Sequence, residues 1–364
     1  MSGTEPQKTR VYLDLTHLGR HVTGIERVSI EQFEKVAFDG AEIVPVRSSG
    51  LVSMIFRQQV WLPLLALLHP KARFVFPGFP PSPLFTFARE RVTLYVHDTF
   101  LITRSSDLSS KARLYMAPQF RIAVTRLKHF FVNSEKTNSD LLEYAASDAV
   151  IRIYRPAVAN PFKLSAANRS SLPVKPQPLR LVSLGTIEPR KNYAASLAIL
   201  KALRRDCDAS TELHIIGRAG WGDDATRIAK APGVTVHGYL ASEDVKRVME
   251  TSDVYLCTSH DEGLGLPLLE AQFSGLPVVA PDQTVFREVL ATSGTFIDPA
   301  NAKASAAAII ALMSELEWRT THARTATANV ERWNSEAARD LSAAKTTFAA
   351  QMIEPIRAPS ARTA

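Results

Sequence analysis

The sequence predicts an α/β protein: two doubly wound, Rossmann-like domains of parallel strands facing an interdomain cleft. Three observations carry this. Short β-rich runs alternate with helical patterns along the chain, as they must where each strand returns through a helix to lie parallel to the last. A polar stretch with three prolines, residues 168–178, interrupts the pattern near its middle. In the second half, small or polar residues follow five strands in turn: Gly185, Gly217, Gly238, Ser259–Gly265 and Pro281-Asp282. Ligands of doubly wound sheets bind beyond these carboxyl ends.

The elements follow in order. The first domain, residues 1–165, should hold strands at Val11–Leu15, Glu42–Val46, Phe74–Phe76, Val92–Val96, Phe130–Val132 and Val150–Tyr154. A linker is expected over 166–178. The second domain, 179–345, should hold Leu179–Leu184, Leu213–Ile216, Val234–Val236, Val254–Cys257, Val278–Ala280 and Thr295–Ile297. Several runs are continuously apolar, as in strands buried on both faces. The helical segment Glu315–Met352 follows the last strand, and 346–364 reads as its end and a disordered tail. Trp61–Leu68, followed by Lys71 and Arg73, reads as a core helix of the first domain, or else as an apolar acceptor surface or interfacial anchor beside anionic lipid.

The bulk properties narrow the classes. A chain of 364 residues fits two domains. Residues 1–9 are polar and lack an apolar h-region, so no secretory signal is expected. The longest apolar run is far short of the roughly 20 residues of a spanning helix. Two cysteines, Cys207 and Cys257, make no disulfide framework or metal spacing, which suits a reducing cytoplasm. A formal charge of +7 calls for a polyanionic neighbour. Nucleic acid is not expected, because the basic residues are dispersed. Phosphorylated substrates and the anionic inner face of the cytoplasmic membrane both qualify.

The richest segment is Asp261-Glu-Gly-Leu-Gly-Leu-Pro-Leu-Leu-Glu270. Gly263 and Gly265 let backbone approach a ligand, and Pro267 suits the first turn of a helix. Amides there would face an anion. Glu262 and Glu270 would face neutral hydroxyl groups beside it, a pattern that fits a nucleotide sugar. Glu270 is also a residue that a helix N-terminus favours. Arg190, Lys191 and Asn192 stand where a helix should begin, and cations there oppose its dipole unless a diphosphate compensates. His97 ends an apolar strand and precedes Asp98. Asp206-Cys-Asp208 superficially matches a D-x-D metal motif, but reads as a helix terminus. No metal site is expected, and no G-x-G-x-x-G follows a first strand, which disfavours a dehydrogenase.

Together these segments resemble the retaining glycosyltransferases of family 4 (glycosyl transferases group 1), which have the GT-B fold. Glu262 to Glu270 is similar to their E-x(7)-E signature. Gly185–Asn192, Ile215–Trp221, Val236–Leu240 and Ala271–Ala280 resemble further family segments. The first domain matches more thinly, at Thr23–Arg27, Val96–Asp98 and Val132–Ser134.

The resemblance implies roles. Glu270 would bind ribose, and Glu262 the donor sugar. The amides of Gly263, Leu264, Gly265 and Leu266 would hold sugar and diphosphate, with Lys191 as the phosphate cation. Gly185, Thr186, Gly217 and Arg218 would line the same edge, and Tyr239 and Leu240 would meet the base. Gly24 would approach the phosphates across the cleft, and His97 would lie near the reacting carbon. Many family members carry Arg where Thr186 stands, so Arg190 is the candidate replacement.

The expected activity is that of a retaining, metal-independent hexosyltransferase without a resident cofactor. The expected donor is GDP-mannose, because T-G-I-x-R and V-H-D segments recur in bacterial mannosyltransferases. The acceptor would be a saccharide or lipid-linked saccharide in surface polysaccharide (lipopolysaccharide) biosynthesis. A UDP- or dTDP-sugar donor carrying glucose, GlcNAc or rhamnose, a nucleotide-sugar hydrolase or epimerase, and an inactive binding protein on the same scaffold are the alternatives.

Overall fold

The structure is a computed structural model that describes residues 8–18, 24–104, 108–110, 112–167, 169–173, 175, 178–220 and 224–353. It divides into two compact units, residues 1–156 with 336–364, and residues 157–335. Thr23, Trp221 and the tail from Pro355, all singled out above, lie outside the described residues.

All twelve expected strands are present, with ends shifted by at most two residues. The first unit holds β1 (Thr9–Leu15), β2 (Ala41–Arg47), β3 (Arg73–Phe76), β4 (Val92–Val96), β5 (His129–Val132) and β6 (Val150–Ile153). They form one parallel sheet in the order β2-β1-β3-β4-β5-β6, with Val11 opposite both Ile43 and Arg73. The order reverses between β1 and β3, which opens a crevice at their carboxyl ends. Phe74, Phe76, Phe85, Leu94 and Phe130 form the core of one face.

The second unit holds β7 (Arg180–Leu184), β8 (Glu212–Ile216), β9 (Val234–Gly238), β10 (Val254–Leu256), β11 (Val278–Pro281) and β12 (Gly294–Ile297). This parallel sheet runs β12-β11-β10-β7-β8-β9, so its order reverses between β10 and β7. Successive side chains leave a strand on opposite faces. Val182 and Tyr255 accordingly join one core with Leu269 and Phe286. Leu181, Val254 and Leu256 join another with Leu213 and Trp318. Burial on both faces is why these strands read as unbroken apolar runs.

Two boundaries differ from the sequence expectation. The prolines near 168–178 suggest a linker, yet Arg169 is buried and donates to the carbonyls of Ser274 (2.6 Å) and Met249 (2.9 Å). Arg169 is therefore fastened to the second unit, and the chain passes between units at Pro156/Ala157. The helix Trp318–Ile353 begins in the second unit but ends in the first, rather than closing the second domain at 345. There Asp340 accepts from Arg155 (2.8 Å), and the Phe348 ring lies 4.5 Å from that of Phe38 and 5.5 Å from that of Phe131. A buried aromatic on a late helical turn holds that turn by hydrophobic contact.

Trp61–Leu68 belongs to a longer helix, Leu51–Leu68. Gln58, Leu62, Leu65 and Ala66 turn inward, while much of its apolar surface faces outward.

Candidate active site

In the second unit the loops after β7 and β10 meet at the reversal of strand order. The β7 loop begins at Gly185, whose φ of +145° is strained for other residues, and a Cβ there would stand 3.1 Å from Lys191 Cε. The loop then runs beside the β8 loop. Gly185 N donates to Ile216 O (2.9 Å), Ile187 N to Arg218 O (3.0 Å) and Gly220 N to Ile187 O (3.0 Å). Gly217 is required by this approach, because a Cβ on it would lie 1.9 Å from Gly185 O. Gly217 also bridges Gly238, which ends β9 with φ +70°. Gly185, Thr186, Gly217 and Arg218 are thus brought together.

A short helical turn, Pro189–Lys191, then leads through Asn192 to the helix Tyr193–Asp206. Asn192 has φ +50°, a conformation Asn tolerates better than most residues. The β10 loop is zipped to this turn. His260 N donates to Arg190 O (2.8 Å), and Thr258 Oγ1 to Asn192 O (3.0 Å). Glu262, buried in the same loop, receives Lys191 Nζ (2.5 Å) and Ser259 Oγ (2.7 Å) on Oε1, and Arg190 on Oε2 (2.5 Å). Burial pushes its carboxyl up, but Lys191 and Arg190 outweigh that and hold it at about 2. Glu262 is therefore held as the carboxylate near neutral pH, with both oxygens hydrogen-bonded.

The guanidinium of Arg190, the candidate replacement phosphate cation, has a second carboxylate partner. It donates to Glu188 (2.7 Å) as well as to Glu262, which Lys191 also reaches. Arg218 is exposed and without an ion pair among the described residues. Sequence spacing does not show this difference, because Glu262 lies 71 residues from Lys191.

Gly265 takes φ +84° and opens the helix Leu266–Gln272, with Pro267 in its first turn, as the sequence indicates. That helix is only seven residues long. The amides of 263–266, rather than a long macrodipole, are what the turn can offer an anion. Leu264 is buried in the core, whereas Gly263 and Leu266 are half-buried. Glu270 is buried on the second turn of the helix. Leu240 packs on the apolar core, and Tyr239 is 89% exposed. Asp206 and Asp208 stand apart at the far helix end, where Asp206 binds Arg205 and Asp208 Oδ1 accepts from Ser210 N.

In the first unit His97 follows β4 and donates from Nε2 to Pro77 O (2.7 Å), a bond that leaves Nδ1 as its acceptor. Asp98 accepts from Phe100 N (3.0 Å). Gly24 opens the helix Gly24–Ser29 at an exposed position.

The sequence reading missed His17, which follows β1 at the reversal of strand order. It stacks on Phe79 (5.2 Å), lies 3.3 Å from Ser29 Oγ and fills the space a Cβ on Gly78 would need. Its one sequence signal is its place directly after a first strand. Burial, reinforced for His17 by His97, holds both imidazoles at about 4, below the ordinary 6.5.

These shifts set a pH dependence. The unfolded chain takes protons on both imidazoles between pH 6.5 and 4 and the folded chain does not. Their contribution to stability is complete above pH 6.5 and is lost as pH falls to about 4. Glu262 contributes above its ordinary 4.5 and loses that as pH falls towards 2. Thermal melts should show a falling midpoint from pH 6.5 to 4, and His17→Gln with His97→Gln should flatten that window. An unchanged slope in the double variant would show that other groups set it.

Residues 165–328 match the family described as glycosyl transferases group 1. Over 342 residues the chain is 24% identical to O-antigen chain mannosyltransferase B of Escherichia coli, covering 82% of this chain and 89% of that protein. The serotype-specific mannosyltransferase WbdA of Escherichia coli is 32% identical over 114 residues, 30% of this chain but only 14% of WbdA. Among solved structures, WaaG, a glycosyltransferase involved in lipopolysaccharide biosynthesis, superposes with a TM-score of 0.63 at 18% identity, over 95% of this chain and 100% of that one. The two parallel sheets and this likeness give the GT-B fold class. Residues 165–328, the stretch that holds β7 to β12, thus resemble the group 1 glycosyltransferases.

Proposed function

We propose that this protein is a group 1 glycosyltransferase that moves mannose from GDP-mannose, with retention of anomeric configuration, to a saccharide or lipid-linked saccharide in surface polysaccharide biosynthesis. The observation that carries a nucleotide-sugar donor is the meeting of the β7, β8 and β10 loops, which joins close-packed glycine backbone to Lys191, Arg218 and a buried carboxylate. Mannose as the sugar follows the names of the mannosyltransferases the chain resembles.

In this reading the diphosphate lies along Gly185, Thr186 and Gly217, with Lys191 and Arg218 as its cations. Lys191 stabilises the charge that develops as the sugar departs, the kind of term that dominates many enzyme barriers. Glu262 holds Lys191 in place and faces the sugar hydroxyls. Its engaged oxygens make it a poor covalent nucleophile, which favours departure and attack on the same face of the sugar. The amides of 263–266 complete the cradle. Glu270 accepts from ribose, and Tyr239 and Leu240 border the base. His97 offers Nδ1 to a sugar hydroxyl, and Gly24 keeps its loop free of a side chain. The free thiols Cys207 and Cys257 fit a reducing cytoplasm.

Side-chain charge compensation makes the rate independent of divalent metal. Proton NMR of product made in EDTA should show the donor's α-configuration at an undiminished rate. A β-linked product would contradict retention. A rate lost in EDTA and restored by magnesium or manganese would contradict the role of Lys191 and Arg218.

A further inference from the structure

The helix Leu51–Leu68 has its polarity inverted. Its buried face carries Gln58, which donates to Asp14 Oδ2 (3.1 Å) and Thr16 Oγ1 (2.9 Å). Its outward face carries Val52, Phe56, Val60, Leu64 and Leu68 at intervals of four, flanked by Leu51, Ile55, Trp61 and Leu67. These nine side chains are 37–82% exposed. Soluble monomers keep their largest apolar patch to roughly 300–600 Å², and a stripe this long exceeds what scattered surface hydrophobics explain.

The neighbours extend the same character. Gln59 donates to Tyr115 Oη and Gln119 Oε1 (both 3.0 Å), which fastens the helical stretch 112–126 alongside. That stretch exposes Leu114 and Ile122 beside Arg113, Arg121 and Arg126. Arg91 donates to Ala66 O (2.9 Å), which ties down the turn Pro83–Arg91 with its exposed Leu84 and Phe87. No Asp or Glu occurs from 43 to 89, or from 112 to 126, whereas Arg57, Lys71, Arg113, Arg121 and Arg126 do. An apolar stripe set among cations and empty of acids complements an anionic bilayer. The inward ties of Gln58, Leu62 and Leu65 exclude a spanning pose, so the helix would lie in the interface plane.

We propose that this face of the first unit inserts into the interface of an anionic membrane. The inference deepens the reading of a lipid-linked acceptor and rests on it for its purpose, though not for its geometry.

The test is flotation with vesicles of phosphatidylcholine alone or with about one third phosphatidylglycerol. The full chain should float with the anionic vesicles and weakly with the neutral ones. Phe56→Glu with Leu64→Glu should lower binding at least about tenfold, and Arg113→Glu with Arg121→Glu should remove most of its salt dependence. Both variants should keep the donor-induced rise in melting temperature, which shows that the fold and donor site survive. Failure of the wild-type chain to float, or equal flotation by the Phe56→Glu/Leu64→Glu variant, would overturn the proposal. So would a dimer in light scattering that this variant abolishes without vesicle binding by the wild type. Loss of the donor response with flotation intact would instead count against the functional reading alone.

Discussion

Lys191→Ala is expected to lower kcat at least about 100-fold, the scale seen when one preorganised charge-stabilising donor is removed. Two features make Lys191 costly to replace. Its ammonium lies against Gly185, where the backbone leaves room for it, and it is one of two cations that hold the buried Glu262 ionised. Removing it leaves that carboxylate with Arg190 and Ser259, so the pKa of Glu262 should rise and the loop should loosen. Lys191→Arg should keep the charge but not the compact fit, and should recover part of the rate. The kinetic split separates the roles. A fall in kcat and kcat/KM together marks stabilisation of the transition state, whereas a raised KM at unchanged kcat marks simple binding. Wild-type kinetics in Lys191→Ala would remove it from the site.

Gly217→Val is expected to abolish measurable donor binding and to lower stability by about 1–3 kcal/mol, the scale of overpacking. The added Cβ would meet Gly185 O at 1.9 Å and Gly185 C at 2.5 Å. Both are backbone, so neither can swing aside as a side chain would. The β7 and β8 loops must part, which breaks the bonds from Gly185 N and Ile187 N. Gly50→Ala is the matched control, because open space surrounds a Cβ there. Calorimetric melts and donor titrations should separate the two variants clearly. A Gly217→Val protein that binds donor normally would show that the loop junction is not the phosphate cradle.

Much of this was legible in the residues. Strands such as β10 and β11 could be read because both faces of the second sheet are covered, so their positions are buried and apolar. Gly265 and Pro267 marked the start of their helix because each has a backbone preference that acts locally. What escaped was long-range. The prolines near 173–178 read as a linker, and no local pattern shows that Arg169, just before them, is buried against Ser274 and Met249 of the second unit. The return of Phe348 to Phe38 joins residues 310 apart in the chain, and no local pattern announces it. Arg190 and Lys191 are adjacent, and no local spacing shows that both reach Glu262 while Arg190 also reaches Glu188. His17 was passed over because a lone histidine after a strand has no distinguishing spacing.

The central claim is a nucleotide-sugar site on the second unit, and the most direct measurement is thermal shift with GDP, GDP-mannose, UDP, dTDP and their common sugar conjugates, on the wild-type chain and on Glu270→Ala. A ligand that binds only the folded chain raises the melting temperature, by about 2.7 kcal/mol of stability at 100 times its Kd. GDP and GDP-mannose are expected to stabilise the wild type, and Glu270→Ala, shown to be folded by circular dichroism, to lose most of that response. Stabilisation by UDP or dTDP compounds alone would contradict the mannose assignment. An unaltered response in Glu270→Ala, or no response of the wild type to any nucleotide, would contradict the site itself.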